Sequence, residues 1–449
     1  TTTKAHRAVY VKVIEGATVN TILHSNPYED IDWKSVNQYK SNMHTHTTQS
    51  NDPIEKFTTA YVVDRYHNAG YKILALTDHD YNTYPWNLFP QFIGGVAARA
   101  AENLGMLAVP GNELSKDNTN SWSERTGGQF NHHNDFFTGR QGQEFASLQE
   151  SYAYTYALGG MQIINHPGQY WSIDNTYSET QKDGPGWHAT NFKTYPSLVG
   201  LEVYNQGNRR PNDRILWDQI LERTMPERPV FGYSGDDTHN DEQLFRNYNY
   251  MLMEDLTTDE LKDAMRKGET YFCYEPKGSG EGKAPRINEI IVDQTNQTIT
   301  IDANGLVYWI YGTDKTSSAV SSTRSSVVGI GSTFSYKGFQ GSYVRAFITN
   351  TFGETCTQPF GFTDSTITNV EEVATQPSLF VFYNSDSEEV SVFMKDTQGD
   401  EMIHLYNMNG QLVASQRTHG ALTQIPANHL TAGIYLVTAG KQVGKFVKE

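Results

Sequence analysis

Cysteine is almost absent. Only Cys273 and Cys356 occur, 83 positions apart, too few for a disulfide framework and without the paired spacing of a thiolate zinc site. Two free, buried thiols are expected, with a single bridge as the alternative. Long apolar runs are missing as well. No stretch approaches the roughly 18 residues that span a bilayer, and Thr1 to Val13 lacks the basic-then-apolar order of a signal peptide, so an exported form is expected to have shed its signal already. Basic charge is in deficit: 35 Lys and Arg stand against 51 Asp and Glu, a net charge of −16. That balance argues against sequence-independent binding to nucleic acid or anionic lipid, where a positive field supplies most of the affinity. Histidine is missing between 240 and 403. Eleven of the fourteen lie in the first 239 residues and three near the end, so histidine chemistry belongs to the first half.

What is present is globular. The chain has 449 residues, and at roughly 100 to 200 residues per domain it divides into two to four domains. Hydrophobic residues at 37% with ordinary Gly and Pro exclude a disordered or collagenous chain. The aromatic share, 12% and led by 27 Tyr, fits a secreted protein that handles sugars or other polar ligands.

From Asn42 to Glu275 short apolar runs alternate with segments of helical spacing, the pattern of strand–helix units closing a sheet or a barrel. Tyr71 to Leu76, Met106 to Val109, Met161 to Ile164, Leu198 to Val203 and Pro229 to Tyr233 read as buried strands. Pro53 to Ala69, Gln91 to Leu104, Gln143 to Leu158 and Pro211 to Thr224 read as crossover helices, three of them stopped by Gly70, Gly105 and Gly159. After the linker near Gly278 the texture turns to Thr, Ser, Val and Tyr in alternation, which predicts a small β-sandwich over 284–362. A polar connector from Thr363 to Pro377 leads to a second all-β region, 378–449, with turns at Asn409-Gly410 and Ala432-Gly433.

Polar residues recur just after the predicted strands: His44-Thr-His46, Asp78-His79-Asp80, Gly-Asn-Glu113, His132-His133, His166-Pro-Gly, Glu202-Val-Tyr-Asn205 and Asp236-Asp237-Thr-His239. In an α/β barrel the strand ends on one side face a single mouth, so ligands from seven segments can converge. Imidazoles and carboxylates suit Zn²⁺, Mn²⁺ or Fe²⁺, and at least five His with three acids exceed what one tetrahedral ion can use, so two or three divalent ions are expected. Residues two apart on a strand project to one face, which lets His44 and His46 share an ion and lets Asp237 and His239 repeat the device. Asp52 has two readings: a ligand, or the N-cap of the next helix with Glu55 closing a capping box. His133 is a neighbour or a supporting donor, His188 a loop residue, and His6, His24 and His67 are structural.

This ordered set resembles the polymerase and histidinol phosphatase (PHP) family of metal-dependent phosphoesterases, over about residues 35 to 275. The resemblance implies an α/β fold with a distorted seven-stranded (β/α) barrel in residues 1–278. It also implies ligands at His44, His46, His79, Glu113, His132, His166, Asp237 and His239, with Glu113 bridging two ions and Asp78 orienting His79. Six residues after His46, where some members place a further His, this chain has Asp52; the family's His-x-Asn pattern favours His132 over His133. The segment around Trp33 and Lys40 to His46, with Glu202 to Asn205, resembles a secreted branch that carries an appended β-domain. The last region, with Ile403 to Gly410, Leu430 to Val437 and Lys445 to Lys448, is similar to the C-terminal sorting domain of the type IX secretion system of Gram-negative bacteria.

The expected protein is therefore a secreted or surface-attached metal-dependent hydrolase. A phosphoesterase acting on a small or sugar-linked phosphate ester leads; hydrolysis of a carboxylic or carbamate ester or an amide, or a non-catalytic glycan- or metal-binding surface protein, are the alternatives. Clustered ions depress the pKa of water and polarise the ester. Asp237 or Asp80 is expected to take up protons, His239 or His166 to protonate the leaving group, and Arg209 with Arg210 to bind the anion. No nucleic acid and no membrane span are expected; the secretion machinery is the expected partner of the last domain.

Overall fold

The computed structural model describes residues 21–50, 52–88, 97–115, 132–141, 145, 147–170, 182–312, 326–364, 379–395, 401–418 and 420–448. The start of the chain, nearly all of the connector read at Thr363 to Pro377 and the first part of Gln91 to Leu104 lie outside the described residues.

The first unit carries β1 (Thr21–Ser25), β2 (Asn37–Asn42), β3 (Ile73–Ala75), β4 (Leu107–Val109), β5 (Gly111–Leu114), β6 (His133–Phe136), β7 (Met161–Ile164), β8 (Leu198–Asn205), β9 (Phe231–Gly235), β10 (Asn247–Met253) and β11 (Thr270–Tyr274). The five strands read from apolar runs all form, because runs buried on both faces need no alternation. They belong to two sheets. One runs β11-β10-β2-β3-β4, the other β5-β6-β7-β8-β9. The expected barrel is not closed by ladder hydrogen bonds among the described residues, and both seams have a local cause. Between β4 and β5 stands Pro110, which has no N–H to donate, and one parallel bridge, His79 to Glu113, spans the gap. Between β9 and β10 the amide of Asn249 takes the place of a ladder: Ser234 N donates to its Oδ1 at 2.9 Å and its Nδ2 donates to Ser234 O at 2.9 Å.

Helices Thr59–Asn68, Leu148–Ala157, Pro185–Thr194, Asn212–Thr224 and Thr258–Lys267 accompany the two sheets. The first begins later than its sequence pattern, because Thr58, not Asp52, is the N-cap and accepts from Tyr61 N. In the described part of Gln91 to Leu104 only short 3₁₀ turns form, over Ala97–Arg99 and Ala101–Leu104. His188, expected in a loop, lies in the helix Pro185–Thr194; Pro185 opens this helix, a place where proline's missing N–H costs nothing.

The sheet of β2, β3 and β4 does not end at β11. Glu354–Thr357 pairs antiparallel with β11 and Tyr343–Thr349 with Glu354–Thr357, and the sheet runs on to Phe360–Asp364 and β1. Ile287–Asp293, Thr298–Ala303 and Thr333–Ser335 form a separate three-stranded layer, and Ile299, Ile301, Trp309, Phe334 and Ile348 share one core with Tyr66, Tyr71 and Tyr248 of the first unit. A buried ion pair binds the two regions further. Arg345 Nε and Nη2 donate to the two oxygens of Asp218 at 2.7 Å each, and Tyr343 Oη adds a bond to Asp218 Oδ1 at 2.9 Å. Cys273 and Cys356 lie in this shared sheet as free, buried thiols.

Residues 379–448 form a three-stranded and a four-stranded sheet with Val390, Val392, Ile403, Leu405, Val437 and Phe446 between them. The three-stranded sheet docks on the first unit through aromatic rings: Phe380 stacks on Tyr195 at 5.1 Å and meets Tyr156 edge-on at 5.8 Å, and Phe393 meets Tyr154 at 6.0 Å.

Candidate metal centre

The site begins where β2 ends. Asn42 Oδ1 accepts from His44 N at 3.0 Å and from Thr45 Oγ1 at 3.1 Å, so the first residues beyond the ladder are held by a side chain. His44 Nδ1 meets Glu202 Oε1 at 2.8 Å. His46 Nδ1 meets Ser50 Oγ at 2.8 Å, and that hydroxyl donates to Asp78 Oδ1 at 3.0 Å. With both Nδ1 atoms engaged, the two Nε2 atoms face each other at 3.2 Å. Two lone pairs or two protons at that distance repel; a cation between them removes the conflict.

Two carboxylates complete the group. Glu113 Oε2 lies 3.4 Å from His44 Nε2 and 3.1 Å from His46 Nε2; Asp237 Oδ1 lies 3.5 and 3.1 Å from the same atoms. Donors bound at about 2.0–2.1 Å around a tetrahedral ion stand about 3.3 Å apart, so these separations are the edges of a coordination shell. Glu113 Oε2 is buried and makes no hydrogen bond although His79 Nδ1 also stands 3.0 Å away. Three imidazoles pointed at one unbonded oxygen fit cation ligation.

The remaining residues extend the cluster to both sides. Asp52 Oδ2 lies 2.9 Å from His239 Nε2 and 3.3 Å from His79 Nε2; this half is the more open, with Asp52 43% exposed and His239 22%. On the other side Glu113 Oε1 lies 3.0 Å from His132 Nδ1 and 3.3 Å from His166 Nε2, and accepts from Asn165 Nδ2 at 2.9 Å. Thus Glu113 turns one oxygen to each half, and His46, Asp52, His79 and His239 form one group of ligand atoms, His44, His46, Glu113 and Asp237 a second, and His79, Glu113 and His132 a third.

The electrostatics favour a cation at this point. Burial opposes charge on His44 and His46, yet the His44 pKa is raised well above the usual histidine value by Glu202, Asp237 and Glu113, and that of His46 is pushed up to about 10 by Asp237 and Glu113. Burial likewise works against ionised Glu113 and Asp237, but the imidazoles around them hold both well below the usual carboxylate range. The cluster retains positive charge, as protons or as divalent ions that displace them.

Backbone conformation aims these side chains. Asp80, His166, Gln206 and Asp237 all take left-handed φ values, 53°, 29°, 46° and 47°, at the ends of strands where a non-glycine residue rarely does so. Gly235 is required for a different reason: a Cβ there would collide with Glu202 Oε1 and with His44 Cβ, so its absence is what lets the carboxylate reach the imidazole.

A cleft of about 350 Å³ opens over the cluster. It is lined by His79, His132, His166 and His239 with the acids, and by Gln169, Tyr170, Gln206, Arg209 and Arg210. Arg209 donates to Gln206 Oε1, and Gln206 Nε2 in turn holds Asp237 Oδ2 at 3.1 Å. Arg210 is half-buried, and its Nε has no hydrogen-bond partner.

Sequence reasoning and geometry differ at several residues. His133 points away from the cleft, to Ser151 Oγ at 2.9 Å, so His132 is the one brought to Glu113. Asp78 does not orient the His79 ring; it anchors the loop after His46 by accepting from Thr47 N at 2.6 Å and from Ser50 Oγ. Asp80 accepts from Ser115, at 3.0 Å from its N–H and 2.7 Å from its hydroxyl. His188 is buried in the helix Pro185–Thr194, both ring nitrogens unpartnered. Ser50, Asn165, Gln169, Tyr170 and Gln206 escaped the sequence reading, although Asn165 and Gln206 directly adjoin motif residues.

Residues 384–449 match the family model of the secretion system C-terminal sorting domain. No curated protein matches the chain. Among solved structures it is similar to a two-domain protein from Bacteroides vulgatus containing a predicted PHP-like metal-dependent phosphoesterase, at 14% identity and TM-score 0.41 over 91% of this chain and 99% of that one. It is also similar to a predicted metal-dependent phosphoesterase from Bifidobacterium adolescentis, at 17% identity and TM-score 0.30 over 50% and 96%. A third is the lesion-specific endonuclease of Pyrococcus furiosus, at 15% identity and TM-score 0.33 over 51% and 56%. With its sorting domain at 384–449, the chain is a secreted or cell-surface attached protein.

Proposed function

We propose that the protein is an exported metal-dependent phosphoesterase whose substrate is a small or sugar-linked phosphate ester. Residues 1–278 carry the chemistry, 284–362 brace it and 378–449 serve export. The observation that carries this reading is that the Nε2 atoms of His44 and His46 stand 3.2 Å apart and each 3.1–3.5 Å from Glu113 Oε2 and Asp237 Oδ1.

His44, His46, Asp52, His79, Glu113, His132, His166, Asp237 and His239 would hold two or three divalent ions of the zinc, manganese or iron type. Bound there, such ions supply the acidity that makes water a nucleophile at neutral pH and the positive charge that polarises the ester. The chain's own groups do the rest. Arg209 and Arg210, which line the same cleft as the acids, bind and orient the phosphoryl oxygens. Asp237, its Oδ2 held by Asn205 at 3.2 Å and Gln206 at 3.1 Å, takes up the proton of the attacking water. His239, or His166 deeper in, returns a proton to the leaving oxygen as the P–O bond breaks.

The cleft volume of about 350 Å³ and the net charge of −16 favour a small ester over a nucleic acid strand. A panel of chromogenic phosphate, carboxylate and carbamate esters, run with added Zn²⁺ or Mn²⁺ and again with chelator, tests the reading. Phosphate ester cleavage that chelator abolishes is expected, and His46→Ala and Asp237→Ala should lose metal and activity together while staying folded. Cleavage confined to carboxylate esters, or bound metal without cleavage of any ester, would overturn it.

A further inference from the structure

A second cavity lies at the other end of the strands. It has a volume of about 630 Å³ and sits where β7, β8 and β9 begin, beside Met161, Val199 and Pro229, whereas the metal cluster uses residues at or just beyond their carboxyl ends. The two sites are thus separated by strands of four to eight residues at about 3.3 Å per residue.

Four cations line this cavity, Lys193, Arg228, Arg266 and Lys395, against one carboxylate, Glu227. In a chain of net charge −16 that local excess runs against composition. Lys193 and Arg266 stand in the last turns of their helices, where the macrodipole favours positive side chains, and Arg266 is paired with Asp263 at 3.2 Å. Neither reason covers the other two. Arg228 donates from three nitrogens to the carbonyls of Phe192, Pro229 and Leu198, and no carboxylate pairs with it among the described residues. Burial lowers its pKa only to about 10, so the guanidinium stays charged at neutral pH. Lys395 comes from the sorting domain and lies 4.7 Å above the ring of Tyr156, with no acidic partner among the described residues. A half-buried cation held by carbonyl dipoles alone, with two unpaired lysines facing the same space, makes a positive well that a mobile anion fills better than water does. The walls are not uniformly polar: Phe192, Val199 and Met161 supply an apolar side, so a ligand with a ring or hydrocarbon body beside its charge is preferred.

We infer that this cavity binds the phosphate or sulfate group of an amphipathic ligand, and that the anion ties the sorting domain to the barrel by bridging Lys395 to Lys193 and Arg228. The shared chemistry is the anionic ester; its source is a small molecule or a charged surface glycan. The inference is independent of hydrolysis at the metal cluster.

The test uses the full chain carrying His46→Ala and Asp237→Ala, stripped of metal so that no ester is cleaved. Calorimetric titration follows phenyl phosphate, inorganic phosphate and dextran sulfate in this background, then in the same background with Lys193→Glu and Lys395→Glu, singly and together. Both lysines are partly or wholly exposed, so the fold tolerates these changes. The expected result is saturable binding, phenyl phosphate ahead of inorganic phosphate, weakened roughly ten-fold or more in the double variant. Binding of dextran sulfate alone, lost in the same variant, supports the site and assigns a glycan source. Affinity unchanged by the double substitution, or no binding of any of the three at millimolar ligand, overturns the inference.

Discussion

Single side chains decide how the cluster is presented. Glu202 makes no claim on a cation in any of the ligand groups, yet it holds His44 Nδ1 at 2.8 Å and accepts from His166 N at 2.9 Å. A carboxylate behind a ligating imidazole fixes its tautomer and raises its basicity. Glu202→Gln is therefore expected to weaken metal binding by about 10- to 100-fold, measured by competition with a chromogenic chelator, while His133→Ala leaves that affinity unchanged. His188 makes the opposite case, a buried histidine with no chemistry. Burial lowers its pKa to about 3, so the folded protein refuses the proton that the unfolded chain accepts below about pH 6.5. Stability from this residue is complete above that pH and falls as pH drops toward about 3, by at most about 1.4 kcal/mol per pH unit. Urea midpoints at pH 7 and pH 5 should show a larger loss for the parent than for His188→Leu; equal losses would count against this assignment.

Between elements, the buried pair Asp218–Arg345 has the largest consequence. It joins the helix Asn212–Thr224 to the strand Tyr343–Thr349 with both side chains fully buried, and the same helix is preceded by Arg209 and Arg210. Removing one partner strands the other charge, so Arg345→Met should destabilise the chain by about 3–5 kcal/mol, seen as a lower denaturant midpoint. Metal content measured in the folded fraction should not change, because no ligand lies on either element. At this scale the limits of the sequence also become visible. The strands at Met161–Ile164 and Leu198–Asn205 were legible because short, mostly apolar runs, MQII and LVGLEV, leave few alternatives, and the strand-end motifs were legible because ligands must follow strands. Gly111–Leu114 and His133–Phe136 were not read as strands, since GNEL and HNDF carry the polar residues that the site needs. Pro185–Thr194 was hidden for a related reason: its residues, Gly186, Thr190 and Asn191 among them, have weak helical preference, and tertiary burial of Phe192 and His188 overrides it. The shared sheet beyond β11 was invisible because strand partners 82 residues apart, Cys273 and Thr355 for example, leave no local signal.

For the molecule as a whole, the division of labour is spatial. Two sheets that do not quite close place nine candidate ligands around one cleft. The β-layers brace the unit from the side, and the sorting domain docks by aromatic contact on the face formed by Tyr154, Tyr156 and Tyr195, beside the cavity at the strand origins and away from the cleft. The central claim is that the cluster around Glu113 is a multinuclear cation site. Anomalous diffraction from crystals grown with Zn²⁺ or Mn²⁺ tests it without reference to any substrate. The account predicts at least two strong peaks, one among His44, His46, Glu113 and Asp237 and another among Asp52, His79 and His239; density showing His44 and His46 bridged only by water, with no anomalous signal in the cleft, would contradict it.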